Sequence, residues 1–243
     1  MTQDLRTNFH EQLGNIRTGI ARLSAGVTEL VPRATEILLD GDLEGAEYVI
    51  LGDDAYDRDS LELEERCFSL IALQAPVAAD LRELVSAIKI LADVERSADL
   101  CVNICKAARR IYSHELDAPL RGMIHKCGQQ ATVLFKEATE SYLNRDGARA
   151  AALHDMDTYL DDLQRQFIQV IFESHAAGRI DLQVAVQLAV VARFYERIGD
   201  HAVNVSDRTR YIVDGWLPDH PYPESGNDVP AVADITPREP DAS

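Results

Sequence analysis

The sequence predicts an all-α protein made of two tandem, structurally similar three-helix bundles, six long helices in all. Three observations carry that expectation. Apolar residues recur at three- and four-residue steps through most of the chain. Leu and Ala are plentiful while aromatics make up only 6%, a mixture that favours helices packed on helices over sheets. A polar pattern, Glu-Arg-x-x-Asp-x-x-x-Asn, occurs twice, at Glu95 and again at Glu196. With 243 residues, 46% of them hydrophobic, the chain is long enough to bury a sizeable core.

The elements follow in order. Phe9, Leu13, Ile16, Ile20, Leu23, Val27 and Leu30 form one apolar stripe, the mark of a long first helix, with Pro32 as its expected kink. Asp40-Gly41-Asp42 ends that helix and caps a second, expected over 43–73. Ala75-Pro76 breaks the pattern, because the residue before proline is pushed out of helical geometry. A third helix then reaches about Tyr112. The same events repeat: Asp117-Ala118-Pro119 opens a fourth helix, Asn144-Arg145-Asp146-Gly147 interrupts it, a fifth runs to about His175, and a sixth follows the Gly178-Arg179 turn to about Val213. Helices of about 30 residues are about 45 Å long and suit an elongated bundle. The expected units are 1–114 and 115–214. Residues 215–243 are expected to form a disordered, acidic tail, since six of the nine prolines fall within 217–243 and little apolar surface is available to offset ordering.

The net charge of −17 excludes the basic footprint of a nucleic-acid binder. It also disfavours attachment to anionic lipid, and no apolar run reaches the length of a membrane span. No signal peptide is evident in the polar segment Met1 to Arg17. Cys67, Cys101, Cys105 and Cys127 form no C-x-x-C pair and read as small core hydrophobes in a reducing cytoplasm.

The repeat is a duplication of polar residues, which a shared hydrophobic period cannot produce. Shifted by 101 positions, Asp80-Leu81 falls on Asp181-Leu182, Glu95-Arg96 on Glu196-Arg197, Asp99 on Asp200, and Val102-Asn103 on Val203-Asn204. Shifted by 104, Asp53 and Asp57 fall on Asp157 and Asp161, and Asp42 on Asp146. Four acid-x-x-x-Asp pairs result: Asp53/Asp57, Glu95/Asp99, Asp157/Asp161 and Glu196/Asp200. Residues four apart share a helix face, so each pair sets like charges one turn apart. A buried face tolerates this only with a cation or an arginine to neutralise it. If the second and third helices of each unit pack together, four carboxylates converge into a hard oxygen site suited to magnesium, manganese, calcium or ferric iron. His201, next to Asp200, would extend the choice to zinc; its counterpart in the first copy is Leu100. Two other readings stay open: acid pairs on a solvated face, or a metal-free lattice in which Arg96 and Arg197 neutralise the glutamates.

At Glu95-Arg96-Ser97-Ala98-Asp99-Leu100-Cys101-Val102-Asn103, and more closely at Phe194-Tyr195-Glu196-Arg197-Ile198-Gly199-Asp200-His201-Ala202-Val203-Asn204-Val205, the chain resembles the PhoU family. The likeness covers about residues 5–214. It implies two three-helix bundles in a cytoplasmic, often dimeric protein. It further implies a negative regulator of the phosphate-starvation response, working between the phosphate ABC transporter and a sensor histidine kinase. Some relatives hold metal clusters through E/D-x-x-x-D motifs, which carries over to Glu95, Asp99, Glu196 and Asp200, and by extension to Asp53, Asp57, Asp157 and Asp161. The first copy departs from the signature, with Ser97-Ala98 in place of Ile-Gly, so the second is the expected site of the firmer metal set. A di-iron enzyme is disfavoured: the chain has no Glu-x-x-His, no Walker loop and no G-x-S-x-G elbow.

Overall fold

The computed structural model describes residues 2–215. Six helices account for nearly all of them: α1 (Thr2–Asp40), α2 (Leu43–Gln74), α3 (Ala78–Arg110), α4 (Ala118–Asn144), α5 (Gly147–Ala176) and α6 (Leu182–Asp214). The proline-rich tail expected from the sequence lies outside the described residues, apart from Gly215. No helix of the described residues is long and apolar enough to cross a membrane.

The acidic turn residues start helices as their chemistry requires. Asp42, Asp117, Asp146 and Asp181 are the N-caps of α2, α4, α5 and α6, and each accepts a bond from a backbone N–H three residues on. Asp42 and Asp146 are the residues that the 104-position shift superposes. Asp80 and Asp181 are not equivalent in this respect. The N-cap of α3 is Val77, which offers no side-chain bond, and Asp80 sits in the first turn instead. There its charge still complements the helix N-terminus. The connection before α3 is strained, with Ala75 and Ala78 both at positive φ. Pro32 lies within α1 and does not end it. The buried stripe Val27, Val31, Ala34 and Ile37 continues across it, and that packing offsets the missing hydrogen bond.

Each unit is a three-helix bundle, but the two share a single continuous core. They meet where α3 packs on α6 and α1 packs on α4. The α3–α6 pair is antiparallel. Arg82 lies beside Gly215, Asp93 beside Asn204, Ser97 beside His201, and Arg110 beside Gln187. Equivalent positions of the two copies thus face one another at the level of Ala98 and Gly199, an approximate two-fold relation. One layer runs α2, α3, α6, α5, with α1 and α4 behind it. Thr35 of α1 and the fully buried Tyr195 of α6 join the layers through a 2.8 Å hydroxyl bond.

Glu83 is the buried ionic node of this arrangement. It is only 6% exposed and accepts from Arg17 of α1 and from Arg145 of the α4–α5 turn. Replacing Glu83 with Ala leaves both guanidinium groups unpaired in a partly desolvated corner. We expect a stability loss of about 2 kcal/mol in urea titration, with Glu83→Gln losing less.

Candidate functional site

The layer of four helices has three seams, and the acid pairs line the two outer ones. In the first copy, Asp53 and Asp57 project from α2 toward Asp99 and Glu95 on α3. One carboxylate oxygen each of Asp53, Asp57 and Asp99 lies within 4.8 Å of the others. The environment is that of a crowded anionic pocket. Desolvation, then Asp57 and Asp99, push the Asp53 carboxyl above its usual value, against the pull of Lys106. Desolvation, Asp99 and Asp54 raise Asp57, and desolvation, Asp99 and Asp57 raise Glu95. The pocket is not deep: Asp53, Glu95 and Asp99 are half-buried and Asp57 is exposed. A shallow cleft of about 310 Å3 runs from Asp57 and Glu95 along Leu61, Leu91 and Ala92. A larger cleft, about 550 Å3, lies elsewhere, beside Gly41 and Tyr112 at the end of α1.

In the second copy, Asp157 and Asp161 of α5 face Glu196 and Asp200 of α6. Desolvation, then Asp161 and Asp200, raise Asp157 to about 6. Desolvation and Asp200 raise Glu196, and Asp200 is raised by desolvation with Asp161 adding to it. Two oxygens here, Asp157 Oδ1 and Glu196 Oε2, are buried without a hydrogen-bond partner. Gly199 makes the approach of Asp157 feasible. A Cβ at that position would stand 2.7 Å from Asp157 Oδ1 and 2.6 Å from Leu160 Cδ2. The first copy carries Ala98 at the equivalent position.

Three details depart from the sequence expectation. The arginine paired with Glu196 is Arg193, one turn earlier, rather than Arg197. Its counterpart in the first copy is Ala92, so only the second cluster has a built-in guanidinium. The tighter grouping of carboxylate oxygens is accordingly in the first copy, where no such ion pair spreads the charges, and not in the second. His201 is not brought to the acids. One residue beyond Asp200, it points about 100° around the helix, into the α3–α6 contact, where it is 6% exposed with Nδ1 3.0 Å from Ser97 Oγ. Desolvation, then Arg197 and Arg96, lower its pKa to about 4.

The middle seam, between α3 and α6, contains a residue that sequence reasoning missed. Asp93 is 8% exposed and accepts from Asn204 Nδ2 at 3.3 Å. Burial raises its carboxyl, opposed by Asn204, Arg96, Arg208 and Lys89. Its position in the repeat is taken by Phe194, so the duplication gave no signal, and Asn103 has no equivalent carboxylate opposite it. The only available cue was an acid falling on the buried stripe of α3.

Two outcomes follow. Gly199→Ala pushes the side-chain ends of Asp157 and Leu160 aside, and alanine's helix preference of about 1 kcal/mol offsets part of that overpacking, so Tm should fall by only a few degrees while Asp157 is displaced. The raised Asp157 pKa sets a sign on pH dependence. The folded state holds its proton more tightly than the unfolded chain, so this group's contribution is complete below pH ~4 and is lost as pH rises through ~6. In chelator, Asp157→Asn should flatten the fall in Tm between those pH values relative to the wild type; an unchanged slope would refute the assignment.

Comparison with known proteins agrees with this architecture. The PhoU domain family matches residues 20–108 and again 124–209. The phosphate-specific transport system accessory protein PhoU homolog 1 of Mycobacterium tuberculosis is 36% identical over 215 residues, covering 88% of this chain and 96% of that protein. PhoU homolog 2 of the same organism is also 36% identical, over 88% of this chain and all of its own length. The crystal structure of PhoU from Pseudomonas aeruginosa superposes with a TM-score of 0.81 at 23% identity, covering 86% of this chain and all of the other. The phosphate transport system regulatory protein PhoU from Streptococcus pneumoniae gives 0.79 at 22%, covering 86% and 98%. With both of its three-helix units matched and this identity maintained over most of its length, the chain belongs to the PhoU family.

Proposed function

We propose that this protein is a non-enzymatic regulator of phosphate homeostasis. It holds the phosphate-starvation response and phosphate uptake in check when phosphate is plentiful, acting in the cytoplasm as a homodimer between a phosphate ABC transporter and a sensor histidine kinase. The observation that carries this reading is the PhoU match of both repeats, together with close relatives named as accessory proteins of the phosphate-specific transport system. The site supports a binding role over catalysis. The clusters offer carboxylates without a nucleophile and base pair, and the one buried histidine among the described residues, His201, is engaged with Ser97.

The acid clusters fit hard cations. Three carboxylate oxygens within 4.8 Å in the first copy, and two buried, unpartnered carboxylate oxygens in the second, are what a divalent or ferric ion would satisfy. Asp53, Asp57, Glu95 and Asp99 would hold one set, and Asp157, Asp161, Glu196 and Asp200 the other. Bound metal would neutralise the clustered charge and lock α2 to α3 and α5 to α6. Magnesium, manganese, iron and zinc all remain compatible with these donors. A metal-free scaffold is the second reading, favoured by the Arg193–Glu196 ion pair and by Lys106 beside Asp53.

Deleting the protein should raise phosphate-starvation gene expression and phosphate uptake in high-phosphate medium; unchanged expression and uptake would overturn the regulatory reading. Elemental analysis of untagged protein purified without chelator separates the two site readings. Stoichiometric metal, lost in Asp53→Asn/Asp99→Asn, supports the metal site. Metal-free protein whose Tm ignores chelator supports the scaffold.

A further inference from the structure

The middle seam carries charge of the opposite sign to its flanks. Along α3, Arg82, Lys89, Arg96, Asn103 and Arg110 recur at seven-residue steps, which places them in one nearly straight row. Across the seam, α6 presents Arg197, Asn204 and Arg208. Lys89, Arg96 and Arg197 are exposed and Arg208 is half-buried. None of these four cations has an ion-pair partner among the described residues. They are close neighbours: Arg96, Arg208 and Lys89 all act on Asp93, while Arg197 and Arg96 both act on His201. Asp93, the acid beneath them, is buried and bonded to Asn204, so it leaves an excess of positive charge at the surface. Arg96 also acts on Glu95 and Arg197 on Asp200, but no contact ion pair holds any of the four, so in a chain of net charge −17 their charged ends stay free to meet an acidic partner.

The shape of the row selects the occupant. In the antiparallel register Arg208 is level with Lys89 and Arg197 with Leu100, so the four cations span about 16 Å at 1.5 Å per residue, longer than a single small anion. The acid clusters on either side confine it to a strip about one helix wide, and they repel the broad, continuous phosphate backbone of a nucleic acid. The ends of the strip become apolar, with Val85 at one end and Val186 and Val190 at the other exposed at 37%, 50% and 38%. We propose that the α3–α6 seam docks an acidic helix of a partner protein. That helix lies along the groove with one carboxylate over Lys89 and Arg208, a second seven residues on over Arg96 and Arg197, and apolar side chains near its ends. This is a helix-in-groove contact in which charge supplies register and encounter rate, and the apolar ends supply burial. It depends neither on bound metal nor on the phosphate reading. Deletion phenotypes test that reading, and direct binding tests this one.

The test uses the full chain and a fluorescein-labelled helical peptide of about four heptads, with Glu at every seventh position and Leu near both ends. Anisotropy at ~0.15 M salt should show binding that weakens steeply as salt rises. Arg96→Ala/Arg197→Ala should weaken it by at least about tenfold. Arg96→Lys/Arg197→Lys should restore most of it, with circular dichroism confirming that both variants fold. A peptide with the same composition but scrambled Glu spacing should bind less well. No binding by the wild type, or equal affinity in the Ala variant, overturns the proposal. So does tighter binding of duplex DNA than of the peptide, or displacement of the peptide by millimolar inorganic phosphate where sodium chloride of equal ionic strength does not displace it.

Discussion

The antiparallel packing of α3 on α6 is the contact on which the rest of the molecule depends. Together with the α1–α4 contact it joins the two bundles, and it sets the copies in an approximate two-fold relation. Both helices are buried along most of their length, α3 by α1, α2 and α6, and α6 by α3, α4 and α5. Because each is central, its signature residues have only narrow outward stripes left. Glu95 and Asp99 emerge toward α2, and Glu196 and Asp200 toward α5. Arg96 and Arg197, one residue on, emerge at the seam between the two copies. The alternation of acidic, basic and acidic seams is thus a direct result of helical geometry acting on Glu-Arg-x-x-Asp repeated in two antiparallel helices.

Like-charge repulsion explains why the two acid clusters have diverged while keeping the same plan. Four carboxylates cannot share a partly desolvated crevice without some compensation. The second copy supplies part of it internally, through Arg193 on Glu196, and lets Asp157 sink against Gly199. The first copy has Ala92 and Ala98 at those positions. Each cluster keeps three half-buried acids and one exposed, Asp57 in the first and Asp200 in the second, and in the first Lys106 is the cation acting on Asp53. The same pattern therefore yields one cluster that partly neutralises itself and one whose oxygens converge with less internal opposition. The difference rests on two positions, Ala92 in place of Arg193 and Ala98 in place of Gly199.

Much of the fold was legible in the chain. Period-3.6 apolar stripes named six helices. Asp42, Asp117 and Asp146 marked helix boundaries, because a carboxylate before a helix has a backbone N–H to satisfy, while the cap at Asp181 emerged from the structure. The two shifts of 101 and 104 residues paired α3 with α6 and α2 with α5, and so named the four acid pairs of the outer seams, though not Glu64 beside the first or Asp207, which bonds His154 across the second. These are local facts: periodicity, capping and four-residue spacing act within one helix and need no partner.

What the sequence could not decide was anything that depends on which way a helix faces its neighbours. That Arg193 rather than Arg197 reaches Glu196 depends on which residues face α5. That His201 turns away from the acids and bonds Ser97 depends on the α3–α6 contact, over a hundred residues apart in sequence. Asp93 was hidden because its partner, Asn204, is equally distant and its counterpart in the repeat is Phe194. The row Lys89, Arg96, Arg197 and Arg208 becomes one surface only when antiparallel packing brings the two stripes together. Sequence alone determined the helices, their caps and the duplicated acids, since those follow from neighbours along the chain. Only the tertiary structure decided which charges meet, since that follows from how two long helices pass each other.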